Sequence, residues 1–132
     1  MKLNFEEIAD EFQSHFRTRS ISHCDFVEVV GDRVIMMVEE TCYIDKDLLE
    51  RDVYDAEVIE MVKKMWGSFA IAVWRWSEKP EMLFKERYFI LKVKVKPRFE
   101  RTLAQLIKDV RKFKNGAYDD VKIKIAGDKD ER

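Results

Sequence analysis

Apolar residues recur at two different periods along this chain, and the changes of period mark out its elements. Phe5, Ile8, Ala9, Phe12 and Phe16 are spaced as one face of a helix over residues 4–16, with Asn4 and Glu7 in the arrangement of a capping box. The polar stretch Arg17-Thr18-Arg19-Ser20 reads as a loop. Residues 23–30 and 33–41 are rich in Val, Ile, Met and Phe, and the Gly31-Asp32 link between them predicts a tight hairpin. Asp47 and Glu50 form a second capping box. Leu48, Val58, Ile59, Val62 and Met65 then suggest a helix, interrupted near Asp52–Asp55 and ended by Gly67. The run FAIAVWRW, residues 69–76, is apolar almost throughout, as an interior strand covered on both faces would be.

Past Pro80 the period is two: Phe89, Leu91, Val93 and Val95 alternate with Lys92, Lys94 and Lys96, which predicts a strand over 87–96 closed by Pro97. Helical spacing returns with Phe99, Leu103, Leu106, Ile107, Val110 and Phe113, and Asn115-Gly116 stops it. Val121, Ile123 and Ile125 make a last short strand. The predicted order is α-β-β-α-β-β-α-β. Three amphipathic helices and about five strands need at least two packed layers, hence an α/β fold of the α+β sandwich kind. It is read as a single domain over residues 1–126 with a loose charged tail over 127–132.

Composition agrees with this picture. A chain of 132 residues, 46% hydrophobic, is long enough to build a core without disulfide or metal staples. No segment has the length of a membrane span or the apolar centre of a signal peptide, so no membrane partner and a cytoplasmic location are expected. Cys24 and Cys42 have no metal-binding spacing. A Gly-rich phosphate loop, a CxxC pair, HExxH and a nucleophile elbow are all missing, which leaves NTPase, zinc-protein, metalloprotease and α/β-hydrolase readings without support.

Charge changes the picture more. The net charge is only −1, yet Met1–Glu60 carries 6 Lys/Arg against 16 Asp/Glu, and Lys85–Lys114 carries 11 against 3. Such polarity implies either internal complementarity or two differently charged surfaces. Lys92, Lys94 and Lys96 would form one basic strand face, extended by Arg98, Arg101, Lys108 and Arg111 on the next element. Contacts of this kind bind phosphates without sequence preference and weaken as salt rises. Trp66, Trp74 and Trp76 are read first as core and secondly as an interface, so a homodimer or an assembly role stands as a further expectation.

The candidate chemistry lies on the hairpin. A two-residue turn sets Val30 opposite Arg33, Val27 opposite Met36, Asp25 opposite Val38 and His23 opposite Glu40. Asp25 and Glu40 are then diagonal neighbours roughly 7–8 Å apart at Cα, and a one-residue slip would put Glu39 there instead. Two carboxylates at that spacing can share a hard divalent cation such as Mg2+, which takes oxygen ligands and keeps several waters.

With its leading helix, the stretch DFVEVVGDRVIMMVEE, the later EMVKKMWGS and the strand-like FAIAVWRW, the chain resembles the PD-(D/E)xK nucleases. Archaeal Holliday-junction resolvases and restriction-endonuclease-like proteins are nearest in layout, over about residues 5–96. The resemblance implies a restriction-endonuclease-like mixed sheet flanked by helices, and metal-dependent phosphodiester hydrolysis of DNA with Mg2+ or Mn2+. Glu7 would match the helix acid, Asp25 the strand aspartate, and Glu39 or Glu40 the glutamate. Arg17 and Arg19 would stand in the loop near the phosphates. The motif lysine is replaced by Thr41 counting from Glu39 and by Cys42 counting from Glu40. Threonine can position a water but brings no positive charge, so a degenerate member that binds nucleic acid without cleaving it is the alternative.

Overall fold

The computed structural model describes residues 2–40 and 47–125. The chain runs through β1 (Lys2–Asn4), α1 (Phe5–Phe16), β2 (Phe26–Val30), β3 (Arg33–Glu40), α2 (Arg51–Arg75), α3 (Pro80–Leu83), β4 (Glu86–Val93), a 3-10 turn (Pro97–Phe99), α4 (Glu100–Arg111) and β5 (Asp120–Ile125). The five strands form one sheet in the order β1-β2-β3-β4-β5. β1, β2 and β3 are an antiparallel meander, and β4 and β5 join parallel to β3. The fold is thus α/β, a mixed sheet packed with helices.

Asn4 caps α1 as its side chain predicts, accepting the Glu6 N–H at 2.8 Å. The hairpin has the predicted register, Val30 opposite Arg33 through Phe26 opposite Met37. Gly31 supplies the positive φ of +57° that the two-residue turn requires.

Strand alternation divides the sheet into two unlike faces. Val27, Val34, Met36, Val38, Phe89, Leu91, Val93 and Val121 are buried. Their neighbours Phe26, Glu28, Ile35, Met37, Tyr88 and Ile90 are only half-buried. Both crossovers, β3-α2-β4 and β4-α4-β5, step across the sheet in the same direction, so handedness sets α2 and α4 on one face. α1 packs beside α2 there, and one core runs through all three helices. No described element covers the opposite face.

Two expectations fail in the middle of the chain. Residues 69–76 are not a strand: all but Trp76 belong to α2, which runs unbroken for 25 residues from Arg51 and has Trp76 as its C-cap. Nor does Gly67 end that helix. The observed order is β-α-β-β-α-α-β-α-β. A run apolar on every side carries no period, so it reads equally as a covered strand or as a helix that is apolar all round. Asp47 caps a turn, accepting the Leu49 N–H at 3.0 Å, and α2 starts past it without a side-chain cap. β1 has three residues, too few to show a period.

α2 holds the segment before β2 through two consecutive residues. Ser68, fully buried, accepts the Cys24 N–H through Oγ at 2.7 Å. Gly67 lies so close to Ser22 that a Cβ there would stand 2.0 Å from the Ser22 carbonyl oxygen. Ser22 Oγ in turn donates to Glu60 at 3.4 Å. Burial keeps the enclosed Cys24 thiol protonated, its pKa pushed up to about 12. Ser68→Ala leaves the Cys24 N–H unpaired in the core and is expected to cost about 1–3 kcal/mol, read by urea unfolding. An unchanged midpoint would show that Ser68 does not carry this junction.

Candidate functional site

The site is assembled at the end of the sheet where β3, β4 and β5 finish, the usual position for ligands in parallel sheets. Asp25 stands at the entrance to β2. Its N–H donates to Met37 O at 2.9 Å, and its own carbonyl accepts the Phe5 N–H at 3.0 Å. The Asp25 carboxylate accepts the Glu39 N–H at 2.7 Å, tying the outer ends of β2 and β3 together. Asp25 is thus exposed but anchored, its carboxylate held by the backbone of Glu39, whereas the unslipped hairpin register set Glu40 as its neighbour.

Glu39 is the register partner of Lys92 on the uncovered face, whereas Glu40 pairs with Val93, whose neighbours on that side are buried. The side chain of Glu40 and all of Thr41 lie outside the described residues. The first turn of α1 comes to the same end of the sheet. Glu7 is exposed there. Beside it, Glu6 contacts His23 Nε2 at 3.0 Å, while His23 Nδ1–H donates to Cys24 O at 2.6 Å and the ring stacks on Phe5 at 5.5 Å. Both ring nitrogens of His23 are thereby committed.

The uncovered face can be read row by row from the register. Lys92 is paired with Lys124, and Ile90 with Lys122. Lys122 Nζ lies 4.8 Å over the Tyr88 ring, and Arg33 lies over the same ring at 5.6 Å. Across the sheet Lys2 Nζ covers Phe26 at 3.9 Å. Lys94 and Lys96 follow the end of β4 and are exposed. The corner where the parallel strands finish therefore sets Glu39, Lys92 and Lys124 in one row, with Lys122 on the adjoining row reaching back over Tyr88 and Lys94 and Lys96 following the end of β4. Sequence patterning does not single out Lys122 and Lys124, because β5 is short and its distance from residue 92 in the chain conceals their adjacency. The half-buried aromatics Phe26 and Tyr88 are hidden for the same reason.

Other predicted basic residues lie elsewhere. Arg101 and Lys108 are exposed on α4, which covers the other face, so they do not extend the lysine row. Arg111 is spent structurally, paired with Asp120 at 3.0 Å and donating to Val121 O at 2.8 Å. Arg17 closes α1 with φ +53°, and it and Arg19 are exposed at the far end of that helix, roughly 16 Å of helix from Glu6. The basic loop is thus not beside Asp25.

Mg2+ is a chemically reasonable occupant for Asp25 and Glu39, since it is content with one or two carboxylates and water. Asp25, however, already spends one oxygen on a backbone N–H, and among the described residues no three His, Cys, Asp or Glu side chains converge as a metal cluster. No described helix is long and apolar enough to cross a membrane. Compared with known proteins, the chain matches no family model, no curated protein and no solved structure.

Proposed function

We propose that the chain is a nucleic-acid-binding module that takes the phosphate backbone at the lysine corner of its uncovered sheet face. The observation that carries this reading is the pairing of Lys92 with Lys124, with Lys122 on the adjoining row. Several cations thus share one face of the sheet, and a polyanion can contact them together. Tyr88 and Phe26 hold further cations on the same face, with Lys122 and Lys2 over their rings. Of all nucleic acids, DNA is the one the nuclease resemblance suggests.

The test is binding of labelled single-stranded, duplex and branched DNA across a salt series. Binding that weakens linearly in log–log form is expected, with a slope of about −0.9 per neutralised duplex phosphate. No binding even at low salt would end the reading.

A second reading, metal-dependent phosphodiester hydrolysis in a restriction-endonuclease-like fold, is favoured by one contact and one neighbour. The Asp25 carboxylate accepts the backbone N–H of Glu39, and Lys92 lies beside Glu39 on the next strand. Lys92 would then supply the positive charge that Thr41 cannot. Asp25 and Glu39 would hold Mg2+ or Mn2+, which when bound acidifies water and polarises a phosphate oxygen. Cleavage of DNA that needs the metal and disappears in Asp25→Ala is the result this reading predicts.

A further inference from the structure

The sheet surface that carries the lysine corner is aromatic at two points. Among the described strands, Phe89 is the aromatic residue of the core, and Phe26 and Tyr88 are those of the uncovered face. Rings on an open sheet are where unpaired bases stack, and an accessible ring contributes about 5- to 150-fold in affinity per base. Both of these rings are already occupied. Lys2 Nζ, from β1, stands 3.9 Å from the centre of the Phe26 ring. Tyr88, on β4, is met from both neighbouring strands, by Lys122 Nζ of β5 at 4.8 Å and by the Arg33 guanidinium of β3 at 5.6 Å. Its hydroxyl donates to the Glu86 carboxylate, which sets an anion at the edge of the ring. Between the two rings lie Ile35, Met37 and Ile90, half-buried and without a π face.

We propose that the lysine corner selects double-stranded over single-stranded nucleic acid, an inference that rests on the nucleic-acid reading above. A base reaching Tyr88 must first displace two cations, each held there by a factor of about 2 to 5, which offsets much of what stacking would gain. The phosphates then decide. A duplex carries one charge per about 1.7 Å of its axis, against one per about 3.4 Å along a single strand. The corner meets that density with Lys92 beside Lys124, Lys122 on the adjoining row, and Lys94 and Lys96 beyond the end of β4. Neutralising a duplex phosphate releases about 0.9 of a counterion, and a single-strand phosphate about 0.7. For about four phosphates, and equal affinity at 1 M salt, that difference amounts to about 10-fold in favour of the duplex at 50 mM. An open ring would outweigh this factor; an occupied one does not. Phosphate contacts carry no sequence information, so the preference holds whatever the base sequence.

The test is competition between a labelled DNA duplex and either of its separated strands at about 50 mM salt, with the unaltered chain. The duplex should win by about 10-fold, and its salt slope should be the steeper, near −0.9 against −0.7 per phosphate. Tyr88→Leu and Phe26→Leu each remove a ring, and each should change single-strand binding by less than about 3-fold while the circular dichroism spectrum stays native. Lys122→Ala with Arg33→Ala frees the Tyr88 ring and takes two cations away, so the preference for the duplex should shrink toward parity. A single strand that binds as tightly as the duplex, or a loss of about 10-fold in single-strand binding on Tyr88→Leu alone, would overturn the inference and leave nucleic-acid binding standing. Binding of neither form would remove the nucleic-acid reading itself, and the inference with it.

Discussion

Gly67→Ala is expected to destabilise the protein by about 3 kcal/mol or more, the range of severe overpacking. The sign is the opposite of the usual one. In the interior of an exposed helix, replacing glycine by alanine stabilises by about 1 kcal/mol, because alanine loses less backbone freedom. Gly67 sits within α2 with an ordinary helical backbone, so propensity alone would favour the alanine. What decides is contact. The new Cβ would stand 2.0 Å from Ser22 O, 3.0 Å from Ile21 Cγ2 and 3.2 Å from the Ser22 carbonyl carbon. Two of those three atoms are backbone and cannot swing aside.

Relief requires the segment 21–24 to lift from α2. That would stretch the 2.7 Å bond from Cys24 N–H to Ser68 and displace Asp25, the next residue. Equilibrium unfolding in urea gives the magnitude. Gly116→Ala is the control: with φ +81° and open space around it, the substitution there meets backbone strain but no clash, and should cost about 1 kcal/mol. If Gly67→Ala were neutral or stabilising, the close docking of α2 on residues 21–24 would be wrong.

Gly67 also marks where the sequence stops being readable. The hairpin was legible because its two strands are half-covered, so that Val27, Val34, Met36 and Val38 alternate with less buried residues and the Gly31 turn fixes the pairing. The helix over 100–111 was legible for the matching reason: one face is buried through Leu103, Leu106, Ile107 and Val110, and the other carries charge. FAIAVWRW has neither contrast. Ile71, Ala72 and Trp76 face the core, but Val73 and Ala70 on the outside are apolar too, which erased the helical period. A glycine next to such a run looks like a terminator. Only the approach of Ser22 reveals it as a contact point.

The candidate site was half legible on similar grounds. Asp25 and the two glutamates are local to one hairpin whose register followed from its turn, but that register named Glu40 as the neighbour of Asp25 and did not foresee the bond from the Glu39 N–H. Lys92, Lys122 and Lys124 come from β4 and β5 and meet only through sheet pairing, which parallel strands joined by helices do not announce in sequence.

Charge reversal at that corner has the second large expected effect. The triple variant Lys92→Glu, Lys94→Glu, Lys122→Glu should bind DNA on the order of 100-fold or more weakly at low salt, since it takes away up to three cations from the phosphates and sets three anions beside Glu39. Its salt dependence should also flatten, by about 0.9 in slope for each duplex phosphate that is no longer neutralised. All three side chains are on the uncovered face or past the end of β4, and none is buried, so thermal unfolding should move little. Arg101→Glu with Lys108→Glu changes the net charge by two units at each of two sites, against three sites in the triple variant, on α4 across the core from the sheet face. It should leave binding nearly intact, which separates a local surface from a response to net charge. Equal weakening in the two variants would mean that DNA is held by diffuse attraction and not at this corner. Asp25→Ala divides the two functional readings further. It removes the acceptor for an exposed N–H, which water can replace at a cost of about 1 kcal/mol, and it touches no lysine. Binding should therefore survive it, while any metal-dependent cleavage should vanish. A variant that still cuts DNA would remove Asp25 from the chemistry altogether, and Glu39 beside Lys92 could not then be argued from the pair they form with it.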